Sequence, residues 1–295
     1  MQAIEITLFA QLAIRRRDGE VVRLPAKAEE LLCYLLLRRG QAHTREALAC
    51  ELWADAPAAQ SKKYLRQCLW QLQQVLEAAD SPLLRLDHEW VALHPDAEIQ
   101  VDAQEFERAF AAVRDRPGSA LDPRQAAAAQ AAAALYQGDL LAGWYQSWCL
   151  VERARYESMF FAMLDKLIDY CRGQGLFDQG IAYGMRLLRS DHTHERTHRQ
   201  LMRLYHLAGD RSMALRQFEQ CAAALAREFG VQPTEQTLAL VEQIRAGLLE
   251  GERAALGPAP EPELLGTLLS ELANLRRSVA QLQHELAQLK RAPGA

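Results

Sequence analysis

Leucines at positions 65, 69, 72 and 76 recur at i, i+4, i+7 and i+11. That is one apolar stripe at helical period, so residues 61–79 read as a helix. Lys62, Lys63, Arg66, Gln67, Trp70 and Gln74 lie off the stripe. Directly after it, Leu83–His94 (LLRLDHEWVALH) reads as two short strands around a polar turn. Upstream, Ile4, Ile6 and Leu8 alternate with polar residues, and Asp18-Gly19 predicts a turn joining Leu12–Arg16 to Val21–Leu24 as a hairpin. Residues 26–39 read as a helix with Leu31, Leu32, Leu35 and Leu36 inward, closed by Gly40. Thr44 is placed to cap a helix running to about Trp53. Residues 54–60 turn the chain into the next helix. The order is then strands, three helices and a hairpin, complete by about residue 96. A helix with basic and amide side chains outward, followed by a β-hairpin, suggests a winged helix. In that arrangement the helix enters the DNA major groove and the hairpin touches the backbone or minor groove.

From residue 102 onward almost everything reads as helix. Asp122-Pro123 is a cap followed by a first turn, and the Ala-rich run 126–134 is an excellent helix former. Long amphipathic segments follow at 148–172, 177–189, 194–208, 211–229 and 234–249. A 34-residue self-similarity maps Gly175 to Gly209, Gly180 to Ala214 and Gly184 to Phe218. That period belongs to tetratricopeptide helix pairs. Residues 251–262 (GERAALGPAPEP) read as a linker. Beyond it, Leu265, Leu272, Leu286 and Val279 occupy a positions, while Leu268, Leu275, Leu282 and Leu289 occupy d positions. Glu271 faces Arg276 and Glu285 faces Lys290 across a parallel pair, so residues 263–291 predict a dimeric coiled coil.

A chain of 295 residues has room for about two domains. With 49% apolar and 24% charged residues it reads as an ordinary soluble protein. No run approaches the roughly 18 apolar residues of a membrane span. The first basic residues follow the apolar stretch, the reverse of a secretory signal, which leads to the expectation of a cytoplasmic protein. Six scattered cysteines without a C-x-x-C pair predict buried, reduced thiols. The net charge of −4 does not favour nucleic acid, and residues 1–100 hold 12 Lys and Arg against 14 Asp and Glu. A local basic patch must therefore carry any DNA contact.

Gln67, Gln71 and Gln74 are equally suited to reading adenine edges and to facing solvent. Trp70 is read either as a core residue at the helix edge, the favoured placement, or as an aromatic facing a partner. His194, Glu195 and His198 match the H-E-x-x-H pattern of zinc hydrolases. A pattern with three fixed positions arises easily by chance, and the G-x-x-H that would follow in one large group is missing, so zinc hydrolysis is not expected. There is no G-x-x-x-x-G-K-[ST] phosphate loop and no G-x-S-x-G elbow. No catalytic residue, metal or cofactor is predicted.

Several of these residues also fall into an ordered set of motifs. These are Leu52-Trp53, Leu65-Arg66, Tyr136-x-Gly138-x-Leu140-Leu141, Trp148 through Glu152-Arg153, Glu195-x-x-His198-x-x-Leu201-Met202, Gly209-x4-Ala214-Leu215 and Glu228-Phe229-Gly230-Val231-x-Pro233. In them the chain resembles, over about residues 3–245, the bacterial transcriptional activator domain family of antibiotic-pathway regulators. The resemblance implies an OmpR-like winged helix joined to a tetratricopeptide-like helical domain, promoter binding, recruitment of RNA polymerase and no chemistry. It also implies that Lys62, Lys63, Arg66 and Gln67 face DNA, that Thr44 and Arg45 meet the backbone at the start of the preceding helix, and that Arg85 and His88 lie on the wing. The family usually has a second Leu-Arg-Arg late in this helix, where this chain has Leu72-Gln73-Gln74. Two potential phosphate contacts are then lost, which implies weaker, less salt-sensitive binding. A dimer would recover affinity through avidity.

The expectation is thus a mainly α protein. It has a winged-helix domain over 1–97, a tetratricopeptide-like activator domain over 98–250, a linker over 251–262 and a coiled coil over 263–291. Its partners are double-stranded DNA, RNA polymerase and a second copy of itself. The other reading is a tetratricopeptide-type module for a protein or ligand partner, with weak or lost DNA binding.

Overall fold

The computed structural model describes residues 4–16, 18–76 and 83–248. The expected coiled coil, with Leu265, Leu268, Leu272, Leu275, Val279, Leu282, Leu286 and Leu289, lies outside the described residues, as does the linker before it.

The alternation at the N-terminus gives β1 (Ile4–Thr7), which turns Ile4 and Ile6 inward and Glu5 and Thr7 outward. It pairs antiparallel with β2 (Ala13–Arg16), Ile6 opposite Ile14. The second arm of the expected 12–24 hairpin shortens to an isolated bridge between Arg15 and Val21. Among the described residues, the Arg16 N–H to Glu20 carbonyl and Val22 N–H to Ile14 carbonyl bonds, both 2.9 Å, continue that pairing. Then come α1 (Ala26–Leu37), β3 (His43–Thr44), α2 (Arg45–Leu52) and α3 (Ala58–Leu76). The hairpin follows as β4 (Leu84–Leu86) and β5 (Trp90–Leu93). Strands β3, β5 and β4 form the wing sheet in that order. Helix α3 starts at 58 rather than 61, because the Pro57 carbonyl already accepts from Gln60 and Ser61 N–H. Proline suits such a start, where its missing N–H leaves no bond unmade. Leu65, Leu69 and Leu72 are buried as their stripe predicts.

Strand β6 (Ile99–Val101) returns the chain to the first sheet and pairs parallel with β1 at the edge opposite β2. The helices α4 (Asp102–Val113), α5 (Pro123–Leu135), α6 (Ser147–Gly173), α7 (Phe177–Ser190), α8 (Glu195–Leu207), α9 (Arg211–Phe229) and α10 (Glu235–Ala246) follow. The Asp122 carboxylate accepts from Gln125 N–H and the Gln125 amide oxygen accepts from Asp122 N–H, a reciprocal cap on α5. The 34-residue offset has a backbone counterpart. Gly175 and Gly209 have φ of 71° and 89° and form the turns before α7 and α9. A Cβ on Gly184 would stand 2.6 Å from Leu201 Cδ2, so α7 approaches α8 this closely only through glycine.

One apolar core runs without a break from Ile4 through the winged helix to Leu187 on α7. A smaller one, with Met202, Ala214 and Ile244, joins α8, α9 and α10. Five cysteines are buried, and burial pushes the Cys68, Cys171 and Cys221 thiols up to about 11. Cys50 departs from the expectation and is exposed, since on short α2 only Leu48, Ala49 and Leu52 turn inward. Among the described residues, no helix is long and apolar enough to cross a membrane.

Polar contacts fix the two halves against each other. The Asp102 carboxylate accepts Leu8 N–H at 2.8 Å and Phe9 N–H at 3.1 Å. Burial raises its pKa against the opposing pull of these bonds. The Phe9 ring packs on Tyr136, Phe106 and Tyr156. Leu141 N–H donates to Leu8 and Ala142 N–H to Ala10. The Arg153 guanidinium holds that docking loop by donating to the carbonyls of Leu140, Leu141 and Trp144. The Tyr136-to-Leu141 and Glu152-Arg153 motifs thus meet at one junction. Across it, Trp148 Nε1 donates to Glu30 of α1, and Arg38 pairs with Glu152 at 3.4 Å.

Candidate nucleic-acid interface

Helix α2 begins where β3 ends, so one short stretch belongs to both the wing sheet and the helix–turn–helix. Thr44 pairs with Trp90 in the sheet, while its hydroxyl accepts Ala47 N–H at 3.1 Å and caps α2. Arg45 reaches the wing turn twice. Its N–H donates to the Glu89 carbonyl at 2.8 Å and its Nε to the Asp87 carbonyl at 3.1 Å. The wing turn is therefore held beside the start of α2.

Helix α3 packs with its leucines inward and presents Lys62, Lys63, Arg66 and Gln67 to solvent. An open cleft of roughly 860 Å³ lies between α2, α3 and the wing. Thr44, Arg45, Lys62, Arg66 and His88 line it, together with Glu46 and Glu89. Five of the eight residues expected at the interface are thus brought together. Lys63 and Gln67 are exposed on the adjoining row of α3, and Arg85 is exposed on β4 opposite Ala92. These three do not line the cleft.

The charge here is mixed. Three permanent cations face two carboxylates across the cleft, and Lys62 Nζ is 3.2 Å from Glu46 Oε1. Both partners are more than half exposed, so the pair contributes at most about 1 kcal/mol. A phosphate oxygen could displace it without a large penalty.

Trp70 departs from the sequence expectation. It is 60% exposed rather than in the core. It lies four residues beyond Arg66, hence on the same row as Lys62 and Arg66, while the inward row is taken by Leu65, Leu69 and Leu72. Trp90 on the wing is also largely exposed. The i+4 spacing was readable for Trp70. The approach of Glu46 and Glu89 was not, because it depends on how α2, α3 and the wing pack.

The H-E-x-x-H residues have other partners. The side-chain amide of Gln217 donates to His198 Nδ1 at 2.6 Å, and His198 Nε2 donates to the His192 carbonyl at 3.0 Å. Burial lowers the His198 pKa, with His194 acting in the same direction. Glu195 Oε1 accepts Thr234 N–H and the Thr234 hydroxyl, each at 2.7 Å, and the Thr237 hydroxyl at 2.5 Å. Burial alone would raise its pKa; these bonds and Arg199 bring it below the usual value. Both residues therefore tie α8 to α9 and to the start of α10. Among the described residues, no group of three or more His, Cys, Asp or Glu is arranged to hold a metal ion.

Comparisons with known proteins agree with this architecture. Residues 19–86 match the family model "Transcriptional regulatory protein, C terminal", and residues 101–245 match "Bacterial transcriptional activator domain". No curated protein matches the chain. Among solved structures, the chain is similar to Mycobacterium tuberculosis EmbR, determined in complex with a low affinity phosphopeptide. The TM-score is 0.64 at 20% identity, covering 87% of this chain and 69% of EmbR, a likeness of fold. With a winged-helix regulatory domain ahead of an activator domain, the chain belongs to the bacterial transcriptional activator domain family and is a DNA-binding transcription regulator.

Proposed function

We propose that this regulator binds promoter DNA with the Lys62–Arg66 face of α3 in the major groove and the β4–β5 turn against the flanking backbone. Convergence of Thr44, Arg45, Lys62, Arg66 and His88 on one cleft is the observation that supports this reading most. Lys62, Lys63 and Arg66 neutralise phosphates or reach guanine edges, and Gln67 is placed to pair with adenine. Arg45 holds the wing in register while its remaining donors face the backbone. Arg85 and His88 contribute from the wing. Trp70 offers an apolar surface for a thymine methyl group or a sugar.

In this reading residues 1–97 read DNA, residues 98–250 contact RNA polymerase in the cytoplasm, and residues 263–291 join two copies. Dimerisation matters because each interface is electrostatically modest. Glu46 and Glu89 oppose the cations, and Gln73-Gln74 add no positive charge late in α3. Two weak sites on one molecule gain affinity through effective concentration.

The test is fluorescence anisotropy of the full chain with labelled DNA from upstream of its own gene and with scrambled DNA, at two salt concentrations. Selective binding that weakens with salt is expected. Equal, negligible binding to both would favour the helical half as a partner-binding module.

A further inference from the structure

In the helical half, α6, α8 and α10 border an open cleft of roughly 480 Å³. Four arginines line it: Arg172 near the end of α6, and Arg196, Arg199 and Arg203 on one face of α8. Carboxylates hold Arg172, Arg196 and Arg199, and one of these acids, Asp169, itself lines the cleft. Asp165 accepts from Arg196 at 2.7 Å, Asp169 pairs with Arg172 at 3.6 Å, and Glu195 pairs with Arg199 at 3.6 Å. The Asp165, Asp169 and Glu195 side chains are each under a third exposed, whereas the Arg196 side chain is 59% exposed. The Arg199 side chain is 18% exposed and also donates to the Thr237 hydroxyl at 3.0 Å, but Arg196, tethered along one edge, keeps its other N–H donors fixed and available. That is the preorganisation an oxyanion needs.

A second observation is independent of charge. Gln200 is buried on the wall of this cleft. Its Nε2 donates to Asp165 Oδ1 at 2.8 Å, and a carboxylate only accepts, which fixes the orientation of the amide. Gln200 Oε1 is then left buried with no partner. A buried acceptor without a donor is costly. Oε1 calls for an O–H or N–H group on whatever occupies the cleft. Gln236 and Gln243 of α10 add amides at the rim, and Leu240 adds an apolar surface. The cleft volume falls in the range of about 300–1,000 Å³ typical of small-molecule sites.

We propose that the α6–α8–α10 cleft binds a nucleoside monophosphate. Arg172 and Arg196 take the phosphate, Gln200 Oε1 accepts from a sugar hydroxyl or base N–H, and the α10 amides face the base. A concave, partly apolar cleft with a buried acceptor fits a small ligand better than the convex backbone of a duplex. The site does not depend on the proposed DNA-binding residues. It does share α6 with them structurally, since Trp148 at the other end of that helix touches Glu30 of α1. The separation is about 36 Å along the helix.

The test is thermal melting and isothermal titration calorimetry of the full chain with adenosine and guanosine 5′-monophosphates, inorganic phosphate and unphosphorylated adenosine. A monophosphate should raise the melting temperature, adenosine should not, and inorganic phosphate should bind at least tenfold more weakly. The Arg172→Gln/Arg196→Gln double variant should lose affinity at least tenfold while melting like the parent without ligand. Gln243→Glu, at the rim, should weaken binding without touching the core. The proposal is overturned if no monophosphate binds at millimolar concentration or if the double variant binds as well as the parent. Equal binding of inorganic phosphate would reduce the site to an anion patch and also reject it. Loss of duplex-DNA affinity in the double variant, with no nucleotide binding, would reassign the arginines to DNA.

Discussion

The Lys62 ammonium lies 3.2 Å from the Glu46 carboxylate, so a cation at the start of α3 is held by an acid in the first turn of α2. The pair can hold Lys62 in place, but the carboxylate also repels any phosphate that approaches it. Glu46→Gln should therefore strengthen DNA binding. One unit charge a few ångströms away in water amounts to about 1 kcal/mol, roughly fivefold in affinity. Stability should change by less than about 1 kcal/mol, because the pair is exposed. Anisotropy titrations of parent and variant at one salt concentration check both the sign and the size; weaker binding by the variant would mean that Glu46 serves the interface.

Trp148 is one of the links between the helical half and α1. Its indole N–H is buried and donates to Glu30, which also accepts from Lys27 at 2.8 Å. Glu30→Met removes the acceptor and should destabilise the fold by about 1–3 kcal/mol. Glu30→Gln retains an acceptor and should lose less. Urea unfolding followed by tryptophan fluorescence separates the two variants, and equal midpoints would show that this bond contributes nothing.

Acid should weaken the fold through His198. Its folded pKa lies below the ordinary value, whereas in the unfolded chain the imidazole takes up a proton near pH 6.5. As pH falls through about 6.5 the unfolded state binds a proton that the folded state refuses, and stability drops until the folded pKa is reached. The slope from this one group is at most about 1.4 kcal/mol per pH unit. His43, whose pKa burial also lowers, adds in the same direction. Unfolding free energies between pH 7.5 and 5.5 should fall less steeply in His198→Gln than in the parent. Identical slopes would remove His198 from the account.

The proposed coiled coil makes a simple prediction about mass. Leu275→Pro breaks the helix interior, at a cost of about 3 kcal/mol or more, and should turn a dimer into a monomer. Light scattering at micromolar concentration reads this directly. An unchanged mass would reject residues 263–291 as the dimerisation element.

Local signals were the readable ones. The Leu65, Leu69 and Leu72 stripe, the Thr44 cap, the Asp122-Pro123 start and the Gly175/Gly209 spacing each act within a few residues or one repeat, and each is found where the sequence puts it. Strand β6 was not legible. Its three residues acquire strand character by pairing with β1, nearly a hundred positions away, and nothing local selects that partner. For the same reason nothing local marks the α8 arginines as part of a site. Only packing of α6 and α10 against α8 brings Arg172 and Gln200 into one cleft with them. Trp70 is exposed because Leu65, Leu69 and Leu72 fill the inward row, and it follows Arg66 by one helical turn instead.

Reversing two charges on α3, Lys62→Glu with Arg66→Glu, asks most directly whether this helix carries the binding. Both side chains are exposed, so circular dichroism and molecular mass should match the parent. Promoter affinity measured by anisotropy should fall to that of scrambled DNA, and the salt dependence should flatten with it. A double variant that keeps full promoter binding would contradict the assignment of the Lys62–Arg66 face as the DNA-reading surface.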